Sequence, residues 1–161
     1  MENFGEVTHT CCILGHREIV QTPELVEQLC SIIEYLIQDQ GVDTFLFGSK
    51  SQFNSLCYEL ITEIKEEHHQ IQRIYVRGEF PVIDESYCRY LLERYEGTCY
   101  PQELVGAGRS VYIKRNRIMI DHSRFCLCYS REDYAPKGRK SGTKLALEHA
   151  KKQGKIIYCF P

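Results

Sequence analysis

The chain has 161 residues, 43% of them hydrophobic and 26% charged, which are the proportions of one globular domain and exclude wholesale disorder. A formal net charge of −2 with no basic block excludes broad electrostatic capture of nucleic acid or of an anionic membrane. No apolar run approaches the roughly 20 residues of a membrane helix, and Met1 to His9 carries two Glu and no Lys or Arg, unlike a signal peptide.

In chain order, Thr8 to Leu14 is a short β-type run that stops at Gly15. Thr22-Pro23 follows as a helix cap with proline at the first helical position. Leu25, Val26, Leu29, Cys30, Ile33, Leu36 and Ile37 then recur at helical spacing up to Gly41. Thr44 to Phe47 is continuously apolar, as a strand covered on both faces should be, and ends at Gly48. From Ser51 the set Phe53, Leu56, Cys57, Leu60, Ile61 and Ile64 predicts an amphipathic helix with Glu59, Glu63, Lys65 and Glu66 on its solvated side.

Ile71 to Val76 predicts a third strand, and Asp84 caps a helix running to about Tyr95. Thr98 to Gly108 reads as a loop, Ser110 to about Ser123 as a helix, and Phe125 to Tyr129 as a fourth, buried strand. Arg131 to Lys140, with Pro136 and Gly138, reads as another loop. Ser141 or Gly142 opens a last helix to Gln153, Gly154 ends it, and Ile156 to Phe160 is the final strand. Strands alternating with helices imply a three-layer α/β/α, Rossmann-like fold with a five-stranded, mainly parallel sheet. The expected strand order is 3-2-1-4-5, in one domain over 1–161 with a core from about 8 to 160.

In such sheets ligands bind beyond the carboxyl ends of the strands, where the strand order reverses. Polar residues gather at those ends: Gly15-His16-Arg17 after the first strand, Gly48-Ser49 after the second, and Ser141-Gly142-Thr143 at the start of the last helix. Glycine lets backbone approach a phosphate, helix-start N–H groups donate to it, and hydroxyls add further bonds. Each piece alone is usually just a turn or a cap; their convergence on one sheet edge is what points to phosphate. Arg115 and Asn116 add a planar cationic fork and an amide, with a solvated helix face as the alternative. No Walker loop occurs, and Gly106-x-Gly108 lacks the spacing of a dinucleotide fingerprint.

The nine cysteines lie mostly in apolar runs, so they read as reduced core residues of a cytoplasmic protein with neither disulfides nor zinc. His68, His69, His122 and His149 have no partner at ligand spacing, and neither a metal nor another cofactor is expected.

Gly15-His16-Arg17, Gly48-Ser49, Arg115-Asn116-x-x-Met119, Ser141-Gly142-Thr143 and Ala150-x-x-x-Gly154, in that order, resemble the SLOG superfamily. That group includes the LOG nucleotide phosphoribohydrolases, the DprA/Smf proteins and a stand-alone YpsA-like branch, and the resemblance runs from about Thr10 to Phe160. It implies a Rossmann-like fold, a pocket for nucleotides, nucleotide sugars or ADP-ribose derivatives, and pairing of copies through helices as a homodimer or higher homo-oligomer. LOG enzymes carry a GGxGTxxE pattern whose glutamate takes part in N-glycosidic cleavage, and here Ala146 stands in its place. Glu148 is rotated by about 200° around the helix from Ala146 and points elsewhere. Glu18, Glu79, Asp84, Asp121 and His16 remain as acid–base candidates that the sequence does not place, so catalytic residues stay unassigned.

The leading expectation is therefore a binding module, a sensor or sequestering protein for an ADP-ribose-like or nucleotide-derived signal, in a setting such as bacterial or phage defence. The alternatives are an enzyme acting on an N-glycosidic or phosphate bond, and a DprA-like nucleic-acid or protein interaction module, which the charge disfavours.

Overall fold

In a computed structural model of the chain, residues 4–131 and 140–161 are described. Four of the five α-helices among the described residues begin where a side-chain oxygen takes up an otherwise unpaired backbone N–H. Thr22 Oγ1 accepts Leu25 N at 3.1 Å to start α1 (Pro23–Gln38), and Ser51 Oγ accepts Asn54 N at 3.1 Å to start α2 (Gln52–Lys65). Asp84 Oδ1 accepts Tyr87 N at 2.7 Å ahead of α3 (Glu85–Leu92). Ser141 Oγ accepts Lys144 N at 3.0 Å ahead of α5 (Gly142–Lys152). The fourth helix, α4 (Val111–Asp121), has no such cap and follows a 3-10 turn over Gly108–Ser110.

The strands are β1 (Thr10–Gly15), β2 (Thr44–Phe47), β3 (Gln72–Val76), β4 (Gly97–Cys99), β5 (Phe125–Tyr129) and β6 (Ile156–Phe160). Among the described residues they form one sheet in the order β4-β3-β2-β1-β5-β6, with every neighbouring pair parallel. The α/β class, the parallel sheet and the order of the five predicted strands agree with the sequence reading, and the arrangement is Rossmann-like. Two expectations are corrected. The sheet has six strands, because Gly97–Cys99, at the expected start of the loop over Thr98 to Gly108, adds an edge strand. The segment before β1 is also a 3-10 turn over Val7–His9 rather than strand from Thr8. The connection read as a loop over 131–140 falls mainly on residues 132–139, outside the described residues.

The edge strand is held by one carboxylate. Glu96 accepts three bonds from Arg73, from its backbone N at 2.8 Å, Nε at 3.0 Å and Nη2 at 2.9 Å, and pairs with Lys65 Nζ at 3.2 Å. Arg73 Nη1 also donates to Thr62 Oγ1 at 2.8 Å, so this buried guanidinium is satisfied from α2 and from the residue just before β4. Two cores follow from strand alternation. On one face Cys11, Ile13, Phe45, Phe47 and Tyr75 pack with α1, α2 and Leu91 of α3. On the other, Cys12, Leu14, Leu46 and Val76 pack with Met119 and Ile120 of α4 and Ala146 and Ala150 of α5. Among the described residues no helix is long and apolar enough to cross a membrane.

All nine cysteines are free thiols. Cys12 and Cys126 are in register on β1 and β5, with their sulfurs 3.3 Å apart in the second core. Cys128 and Cys159 are in register on β5 and β6, and Cys159 is exposed. A hydrogen bond from the Cys128 thiol brings the Cys159 thiol down to about 7, with Ser130 and Lys151 adding to the effect against partial burial. Because the thiolate is the reactive form, alkylation at Cys159 should reach half its maximal rate near pH 7, while buried Cys12 and Cys126 stay unmodified. In Cys128→Ala the midpoint should move up toward the usual thiol range. Peptide mapping after iodoacetamide pulses at graded pH measures both; an unchanged midpoint in the variant would contradict the assigned cause.

Candidate functional site

The strand order reverses between β1 and β5, and the crevice beyond their carboxyl ends is the place where a doubly wound sheet offers a site. A cleft of about 250 Å³ lies there, and every one of the ten residues singled out from the sequence lines it.

Gly15, His16 and Arg17 leave the end of β1. His16 is buried; its N–H donates to Tyr129 O at 3.2 Å and its Nε2 accepts Arg131 N at 2.8 Å. The imidazole therefore fastens the exit of β1 to that of β5, a positioning role at the seam. Arg17 is exposed, and its carbonyl accepts Gln52 N at 2.8 Å.

Two glycines serve a purpose different from the one expected. A β-carbon at position 15 would lie 2.5 Å from a ring carbon of Phe53, and one at position 48 would lie 2.6 Å from Met119 Sδ and 2.9 Å from Arg115 Nε. Their open space is filled by the protein's own side chains rather than kept for a phosphate. Gly142 is the opposite case, since a β-carbon there would meet nothing within 4 Å.

Arg115, on α4, is the centre of the cleft's electrostatics. The solvated helix face considered from sequence is corrected for this residue, because it is only 6% exposed. Its side chain crosses the ends of β2 and β3 against Gly48 and Gly78, where a β-carbon would lie 3.2 Å from Nη1. Nη2 donates to Asn116 Oδ1 at 3.3 Å, and the guanidinium stands 5.3 Å from the centre of the Tyr112 ring. Its Nε has no hydrogen-bond partner among the described residues. Burial lowers the Arg115 pKa, opposed by Tyr75, Tyr112 and Glu79. Arginine stays protonated even so, and the outcome is a buried cation with a spare donor.

Across the cleft stands the start of α5. Ser141 Oγ caps Lys144 N, leaving the N–H groups of Gly142 and Thr143, the first two of the helix, outside the intrahelical ladder. Ser49 lies on the β2 side, its Oγ 3.4 Å from Ser51 N. Sequence reasoning missed Asn54, which also lines the cleft, is only 4% exposed, and has an Oδ1 without a partner among the described residues. Its Nδ2 donates to Ser51 Oγ at 2.8 Å. The available signal was a polar residue beside Phe53 and Cys57 on an otherwise apolar helix stripe.

No Asp or Glu lines the cleft among the described residues. Ala146 is buried in the second core, and Glu148 faces outward to pair with Lys140 Nζ at 2.9 Å. Of the other acids considered, Asp84 caps α3, Asp121 bonds His149 Nε2 at 2.7 Å, Glu18 is exposed, and Glu79 lines a separate small hollow with Tyr75 and Tyr87. A larger hollow of about 740 Å³ lies beside β4, and its charged lining, Glu96 and Glu103, is opposite in sign to that of the smaller cleft.

No family model and no curated protein matches the chain.

Proposed function

We propose that this protein binds a phosphate-bearing, nucleotide-derived ligand in the cleft between β1 and β5, as a sensor or sequestering protein rather than a hydrolase. The observation that carries the reading is a cleft whose charged lining among the described residues is cationic, with the buried Arg115 and the start of α5 both lining it. Anion, fork and helix terminus are complementary in charge and in hydrogen-bond polarity. The resemblance to SLOG proteins supplies the nucleotide class, a helix-mediated pairing of two copies and a setting in defence signalling, all as parts of this proposal.

Hydrolysis of an N-glycosidic bond needs a carboxylate beside the anomeric carbon, as nucleophile or as stabiliser of the developing cation. The described lining provides none. Incubation with AMP and ADP-ribose, followed by mass spectrometry of the filtrate and of the heat-denatured protein, tests the proposal. Intact nucleotide released only on denaturation is the expected result. Free base accumulating over many turnovers would overturn the binding reading, and absence of any bound nucleotide would overturn the ligand class.

A further inference from the structure

A second cavity opens beside the anion cleft. It occupies about 400 Å³ between α2 and α3, and it shares Ser49 and Asn54 with the cleft. Its chemistry differs from the cleft's. Tyr58, Tyr75, Tyr90 and Tyr95 line it, with ring centres 5.1 Å apart for Tyr58–Tyr95 and 5.2 Å for Tyr75–Tyr95. Along its rim Tyr87 and Tyr90 stack at 6.0 Å, and the Arg94 guanidinium lies 3.7 Å from the centre of the Tyr90 ring. Lys50 Nζ sits 5.7 Å from the Tyr87 ring.

We infer that this tyrosine-lined groove is the subsite for the aromatic base of a nucleotide whose phosphate lies in the cleft, with Asn54 meeting the ribose at the junction. The inference rests on the proposed phosphate reading and adds the other half of the ligand. Three observations carry it. The two cavities are neighbours that share Ser49 and Asn54 in their linings, which sets a base subsite next to a phosphate subsite. Asn54 Oδ1 is a buried acceptor lacking a partner among the described residues, and it sits where a ribose hydroxyl would donate. The groove wall is aromatic, with Tyr58, Tyr75 and Tyr95 tilted against one another and Tyr90 beside the Arg94 guanidinium, and a base can pack on such rings whatever its hydrogen-bonding edge.

Titration calorimetry with AMP, ribose 5-phosphate and inorganic phosphate separates the two readings. Tyr90 is 45% exposed, so Tyr90→Ala should fold normally, which a thermal melt checks. The parent should bind AMP at least about tenfold more tightly than ribose 5-phosphate, the range set by base–aromatic stacking. Tyr90→Ala should remove most of that difference and leave ribose 5-phosphate affinity unchanged. Equal affinity of the parent for AMP and ribose 5-phosphate, or unchanged AMP affinity in Tyr90→Ala, overturns the base subsite while leaving the phosphate reading standing. Failure of the parent to bind any of the three probes overturns both.

Discussion

Arg115→Met should weaken binding of AMP by about 10- to 150-fold, the consequence of deleting a charge-assisted hydrogen bond of about 1.5–3 kcal/mol. Methionine is the informative substitution because Arg115 is buried against Gly48 and Gly78, and alanine would leave a hole there. A thioether of comparable length keeps the packing and removes the cation. It also removes a buried charge whose desolvation lowers the Arg115 pKa, so the unliganded variant should melt no lower than the parent. Arg115→Lys should recover only part of the affinity, since a point charge cannot supply the planar fork.

Two companion variants calibrate the effect. Thr143→Val should cost about 1 kcal/mol of binding, because a neutral hydroxyl bond is lost while the backbone donors remain. Glu148→Ala should bind like the parent, because its carboxylate is engaged with Lys140 at the surface. Calorimetric titration of all four variants decides the matter. The site assignment fails if Arg115→Met binds AMP as the parent does, or if Glu148→Ala is the most damaging change.

The largest loss of stability is expected at a position far from the cleft. Glu96→Ala should destabilise the fold by about 3 kcal/mol, since it leaves the Arg73 guanidinium buried with its main partner gone. The figure sits at the low end for a broken buried pair because the Glu96 side chain retains 21% exposure. Burial alone would raise the Glu96 pKa, but hydrogen bonds from the Arg73 side chain and backbone outweigh it and hold the carboxyl below the usual carboxylate range. A depressed carboxylate contributes stability that is fully present above its unfolded value and is lost as pH falls through the folded one. Urea unfolding should therefore show the gap between parent and Glu96→Gln narrowing as pH drops below about 4.5. A gap that stays constant to pH 3 would mean the charge contributes nothing.

Much of this architecture is legible in the residues themselves. Continuous apolar runs bounded by glycine and polar residues marked five strands, most clearly β1, β2 and β5, since a strand buried on both faces leaves that trace. Caps such as Thr22-Pro23 and Ser141 were readable because a helix start needs a local side-chain acceptor. Gly97–Cys99 left no such trace: three half-buried residues carry no period, and their pairing depends on Glu96 reaching back to Arg73 on β3. The roles of Gly15 and Gly48 were hidden for a similar reason, since what fills their space arrives from Phe53 and from Arg115 and Met119. Arg115 itself sits in a polar tetrad, Lys114 to Arg117, and nothing local tells which of the four turns inward. Long-range packing decides such questions, and periodicity is blind to it.

The reversal of strand order also governs when the cleft comes into being. The β1, β2 and β3 strands join through short-range crossovers, whereas Cys12 and Cys126 at the β1–β5 seam are separated by 114 positions in the chain. Closing so long a loop is entropically slow and is rewarded only once β5 has docked. Until then β1 is an open edge, His16 has no Tyr129 carbonyl to meet, and one wall of the cleft does not exist. The cleft is thus completed late in folding, and a nascent chain ending before Phe125 would lack one of its walls and be exposed to strand-edge aggregation along β1.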